Sequence, residues 1–240
     1  MDDAYKKIID DLVAGTASTG LPKPPDSDLA TVPVLPLTVP AGFPRPPYET
    51  RRIVYFDLEI KNDLDAIGGW EGAKTHGGIG ILCLWDSEDE SPHFFDETTA
   101  PEACQILESA SAAVSFNGTG FDLHVLQAAT GRKISLQSHV DLFELARDQL
   151  DRLGKAWKGN GLDALSRNTI QRGKIGVGSD APKLLRDGKW AQLANYCLRD
   201  VLLTRDLLTF CRRNGYILDK DGEALYLKLP EWLKLQGGTP

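Results

Sequence analysis

Nine prolines stand between Leu21 and Tyr48, at positions 22, 24, 25, 33, 36, 40, 44, 46 and 47. Each fixes φ near −65° and lacks a backbone donor, so this stretch supports neither a helix interior nor a central strand. It divides the chain. Residues 1–48 read as a tether or surface strap, opened by a short amphipathic helix over 3–13 with Ile8, Ile9, Leu12 and Val13 near one side. Residues 49–240 are long enough for one α/β domain and too short for two of ordinary size. The string "PVLP" at 33–36 has the form of a polyproline ligand, which leaves a protein partner through this segment open.

Within the domain, runs of β-branched and aromatic residues predict strands over 52–59, 78–85, 92–96, 113–116 and 138–142. Helices fall between them. "TAPEACQILESA" begins with a threonine cap and an early proline, and "FDLHVLQAATG" ends on Gly131 in the position of a helix stop. Three early strands joined by short turns, followed by helix–strand alternation, predict a mixed five-stranded sheet flanked by helices. At the C-terminal end, "GYILDKDGEALYLKLP" alternates apolar and polar residues around Asp221-Gly222 and predicts a hairpin, added to the sheet edge or acting as a flap. Its acids, Asp219, Asp221 and Glu223, lack EF-hand spacing.

A composition of 42% hydrophobic and 25% charged residues belongs to a water-soluble globular chain, and no run approaches the ~18 apolar residues of a membrane span. The opening "MDDAYKKIIDDL" lacks the apolar core of a secretory signal, so a cytoplasmic location is expected. Cys83, Cys104, Cys197 and Cys211 form no C-x-x-C pair, which points to reduced, packed thiols and away from zinc.

The first strand carries an anomaly. "RRIVYFDLEIK" has the composition of a buried strand, yet Asp57 and Glu59 interrupt it. Alternate side chains of a strand share a face, which puts these two carboxylates on one side about 7 Å apart. Repulsion and lost hydration both oppose that arrangement, and a cation relieves both. The ordinary explanation is a strand fraying into water, so further acids are needed. In "AAVSFNGTGFDLHVL" a short strand ends at Asn117, two glycines permit a tight turn, and Asp122 enters the next helix. A helix-start aspartate also has an ordinary explanation in the macrodipole. In "LANYCLRDVLLTRDLL" Tyr196 and Asp200, four apart, share a helix face about 6 Å from each other, as surface residues also can.

Together, "FDLEI", "FNGTGFD" and "YCLRD" resemble the three motifs of DEDDy 3′-to-5′ exonucleases of the ribonuclease H-like superfamily. The chain is most similar to the proofreading domains of family B DNA polymerases and their stand-alone relatives. The resemblance covers about residues 51–213, and "HVDLF" with Asp141 also has a similar stretch in such domains. Ile60 stands where many relatives have threonine.

The resemblance implies a ribonuclease H-like α/β fold and an enzyme with two Mg²⁺ or Mn²⁺ ions. Asp57, Glu59, Asp122 and Asp200 would be the metal ligands, with Tyr196 orienting the attacking water. Leu58, Ile60, Asn117, Gly118 and Phe121 would bind the terminal nucleotide. The implied substrate is a single-stranded 3′ end, DNA in preference to RNA, cut to nucleoside 5′-monophosphates. An exoribonuclease and a noncatalytic binding or scaffold module remain as alternatives.

Charge is unevenly spread. The chain sums to −7, but residues 51–146 hold 6 Lys and Arg against 16 Asp and Glu, whereas residues 147–189 hold 10 against 5. In that basic arm Lys155, Lys158, Arg167, Arg172, Lys174, Lys183 and Lys189 are candidates to hold the phosphates behind the 3′ end, or simply a solvated face.

Overall fold

The computed structural model describes residues 51–174 and 180–234, so the expected helix at 3–13 and the proline-rich tether lie outside the described residues. Five strands form one sheet: β1 (Ile53–Ile60), β2 (Ile79–Asp86), β3 (Ser91–Phe95), β4 (Ala112–Ser115) and β5 (His139–Asp141), in the order β3-β2-β1-β4-β5. The meander β1–β2–β3 pairs antiparallel, while β1, β4 and β5 run parallel. The sheet is therefore mixed, as the element order predicts.

Alternation along β1 assigns its two faces. Val54, Phe56, Leu58 and Ile60 point into one apolar layer, with Leu82 and Leu84 of β2 and with Leu107, Val125 and Leu126. That layer is built with helices α2 (Ala100–Ser109) and α3 (Asp122–Thr130). Ile53 and Tyr55 point to the other side, where Leu193, Cys197 and Val201 of the long helix α7 (Trp190–Asn214) pack with α4 (Leu142–Arg152) and α5 (Leu162–Ile170). Asp57 and Glu59 continue the Ile53–Tyr55 side and so face α7.

Two expectations are corrected. The link from β1 to β2 is no short turn; it carries a 3₁₀ turn (Leu64–Ala66) and helix α1 (Gly69–His76). Glycines conceal this helix in the sequence, yet Gly72 is required by packing, because a Cβ there would lie 1.5 Å from the carbonyl oxygen of Ile67. The C-terminal hairpin forms, but as a separate two-stranded sheet of β6 (Ile217–Leu218) and β7 (Ala224–Leu225), not as an extension of the main sheet. Ile217, Leu225, Leu227, Leu229 and Leu233 bury into the α7 layer, so the segment is part of the core and no flap. Its buried Asp219 accepts from the backbone of Asp221 and Glu223 and pairs with Lys155 at 2.6 Å. A short helix α6 (Ala181–Arg186) precedes α7. No helix among the described residues is long and apolar enough to cross a membrane, and all four cysteines are buried and unpaired.

Candidate metal centre

Strand β1 and helix α7 bring three acids together. One carboxylate oxygen from each of Asp57, Glu59 and Asp200 lies within 4.8 Å of the others. Glu59 is 7% exposed and Asp200 2%. Burial, then the proximity of Asp122 and Asp200, pushes the Asp57 carboxyl well above the usual range. Burial and Asp57 do the same to Glu59. Asp200 is raised by burial, against the opposing pull of Lys174.

Lys174 enters this cluster from the loop after α5 and pairs with Oδ2 of Asp200. Burial opposes its charge, yet Asp200 and Asp57 hold its pKa above the ordinary lysine value. The other oxygen of Asp200, Oδ1, is buried with no hydrogen-bond partner. A buried, unpartnered carboxylate oxygen is costly, and three hard oxygen donors converging beside it fit a divalent cation of the Mg²⁺, Mn²⁺ or Ca²⁺ type. Tyr196 is 6% exposed, and the Lys174 ammonium lies 5.8 Å from its ring centroid. Burial and then Asp200 raise the phenol's pKa, so it stays protonated and able to donate. Cys197, one residue on, donates to the backbone oxygen of Asp57 at 3.3 Å. Sequence reasoning places Lys174 in a general basic arm and Cys197 among packed thiols; their approach to the acids depends on tertiary placement.

Asp122 is not in the three-carboxylate cluster. Its Oδ1 accepts from the N–H of Leu58 at 3.0 Å, which ties the start of α3 to β1 between the two strand acids. Burial raises its pKa to about 7, although the Leu58 hydrogen bond opposes the shift. The preceding turn is fixed from β5. Asp141 accepts from the N–H groups of Asn117 (2.8 Å), Thr119 (2.9 Å) and Phe143 (3.0 Å), so one carboxylate binds the turn to the start of α4. Asn117 has φ 69°. Gly118 is needed by close approach, since a Cβ there would meet Ser115 Oγ at 2.4 Å.

Of the residues expected to bind a terminal nucleotide, Leu58, Ile60 and Phe121 line one cavity of about 200 Å³ together with Glu59. Asn117 and Gly118 do not line it. Trp70 of α1, which sequence reasoning missed, does; it is 59% exposed and packs edge-on against Phe121 with centroids 5.4 Å apart. The basic arm also sorts itself. Lys155 pairs with Asp219, Arg167 with Asp163, Arg172 with Asp206 and Lys189 with Asp187. Lys158 and Lys183 pair with no carboxylate among the described residues.

No protein-family model matches the chain, and no curated protein matches it by sequence. Among solved structures, it is similar to a family B DNA polymerase from the hyperthermophilic archaeon Pyrobaculum calidifontis, with a TM-score of 0.52 and 17% identity. The fold is ribonuclease H-like. The match takes in 71% of this chain and 25% of that polymerase, so the chain spans about a quarter of that protein's length. The likeness bears on the fold, while the three clustered acids, two on β1 and one on α7, form a candidate metal-binding group.

Proposed function

We propose that the chain is a divalent-cation-dependent 3′-to-5′ exonuclease that acts on single-stranded DNA ends and releases nucleoside 5′-monophosphates. The observation that carries this reading is the convergence of Asp57, Glu59 and Asp200 within 4.8 Å, with Asp200 Oδ1 buried and unpartnered. The motif resemblance and the fold likeness to a family B DNA polymerase both support it. Residues 49–240 are then the nuclease domain and 1–48 its tether.

In this reading Asp57, Glu59 and Asp200 hold Mg²⁺ or Mn²⁺, and Asp122 supports a second ion beside Asp57. Bound metal supplies Lewis acidity, lowers the pKa of a water and neutralises charge on the phosphate. The chain's own groups do the rest. The protonated hydroxyl of Tyr196 orients the attacking water by a hydrogen bond. That water attacks phosphorus in line, the bond to the 3′ oxygen of the preceding nucleotide breaks, and the leaving oxygen takes up a proton. Lys174, paired with Asp200 in the metal-free protein, would be available to a substrate phosphate if a cation took its place. The cavity lined by Leu58, Ile60, Trp70 and Phe121, with Glu59, Asp63 and Asp65 also in its wall, receives the terminal base, and Asn117 and Gly118 let the sugar approach. Purified chain incubated with 5′-labelled DNA and RNA of one sequence, with and without EDTA, tests the reading. Faster, EDTA-sensitive shortening of DNA is expected. Preference for RNA would make it an exoribonuclease, and inertness toward both would leave a noncatalytic module.

A further inference from the structure

A second set of aromatic rings lies one strand away from the acids. Tyr55 of β1 sits opposite Val114 of β4, and Phe116 follows just past the C-terminal end of β4. Phe116 packs against the same α7-side layer that Asp57 and Glu59 face. From Phe116 the rings continue outward, to Phe143 at 5.6 Å between centroids and from Phe143 to Trp157 at 6.1 Å. The first two are half-buried, whereas Trp157 is 56% exposed. A solvated tryptophan held edge-on by a half-buried ring has less rotational freedom to lose on binding than an unsupported one.

The Asp141 carboxylate that fixes the Asn117 turn also caps α4 at Phe143, so one side chain joins the turn to the ring-bearing helix start. Lys158 follows Trp157 in the chain and pairs with no carboxylate among the described residues, whereas the Arg147 guanidinium, 5.8 Å from the Phe143 centroid, is paired with Glu144 at 2.9 Å. An exposed aromatic ring followed in the chain by a lysine that has no carboxylate partner among the described residues suits a single strand: the ring takes a base face, the cation its phosphate.

We propose that Trp157 is the stacking platform for an upstream nucleobase of the bound single strand, positioned by Phe143 and Phe116, with Lys158 on the adjoining phosphate. This rests on the nuclease reading and names where the strand runs behind its 3′ end. Binding of 5′-labelled oligothymidylates of two and eight nucleotides, in Ca²⁺ to limit hydrolysis, tests it with wild type, Trp157→Ala and Trp157→Phe. Trp157→Ala is expected to weaken the eight-nucleotide strand about tenfold while leaving the dinucleotide unchanged, and Trp157→Phe to recover most of the loss. Equal binding of the longer strand by wild type and Trp157→Ala would overturn the platform, as would an equal loss at both lengths. Wild type that binds neither strand would instead remove the nuclease reading itself.

Discussion

The ammonium of Lys174 rests on Oδ2 of Asp200, while Oδ1 of that carboxylate is buried with no hydrogen-bond partner. In the metal-free protein this lysine supplies a positive charge among three acids, so it competes with any cation for the same oxygen. Lys174→Met keeps much of the bulk and removes the charge. The metal-free variant is expected to lose about 2 kcal/mol of stability, the scale of a lost charge-assisted hydrogen bond to a buried acid. Added Mn²⁺ should then raise its melting temperature by more than it raises that of wild type. Equal metal-free stabilities and equal shifts would show that Lys174 does not guard the site.

Cation binding itself should stabilise the fold. Three convergent carboxylates oppose folding when empty, and a ligand confined to the folded state contributes RT ln(1 + [L]/Kd), roughly 2.7 kcal/mol at a hundredfold excess over Kd. Thermal melts with Mn²⁺ or Mg²⁺ should show this rise in wild type and a much smaller one in Asp57→Ala. Identical rises would place the ion elsewhere.

The acid pKa values set a pH dependence with a definite sign. Asp57, Glu59, Asp122 and Asp200 are all raised, Asp122 to about 7, so the folded state holds protons that the unfolded chain releases near pH 4. Their contribution is complete below the unfolded pKa and is lost as pH rises through the folded one. For Asp122 that window runs from about 4 to about 7. EDTA-treated protein should therefore melt lower at pH 8 than at pH 5, and Asp122→Asn, which can still accept from Leu58, should flatten part of the slope. Melting temperatures that increase steadily across this range would contradict the shifts. Mn²⁺ has the opposite trend, because it binds the deprotonated acids.

Much of this site is legible in the sequence because strand alternation is local. Five predicted strands fall within two residues of the observed ones, and the pattern Ile53, Tyr55, Asp57, Glu59 on one face follows from a period of two. Tyr196 and Asp200 follow from the period of a helix. Helix α1 was hidden because Gly69 and Gly72 argue against a helix, and only contact with Ile67 explains Gly72. Lys174 was hidden for another reason: nothing local ties a loop lysine to an acid 26 residues later. Asp122 stands apart from the three clustered acids, and its Oδ1 accepts from the backbone N–H of Leu58.

Tyr196→Phe isolates the hydroxyl. The ring packing and the cation contact with Lys174 are kept, so the Mn²⁺-induced stabilisation should be unchanged. Single-turnover hydrolysis should slow by at least about tenfold, as an orienting hydrogen bond is lost. An unaltered rate would reduce the tyrosine to packing.

The most direct measurement follows a 5′-labelled single-stranded DNA through time on a denaturing gel, in Mn²⁺, with wild type, Asp57→Asn and Asp200→Asn of equal circular dichroism. Wild type should shorten the strand one nucleotide at a time from its 3′ end and release 5′-mononucleotides. EDTA should stop the reaction, and each variant should slow it by roughly a hundredfold or more. Degradation that persists in both variants, or that ignores EDTA, would contradict a metal centre built from Asp57, Glu59 and Asp200.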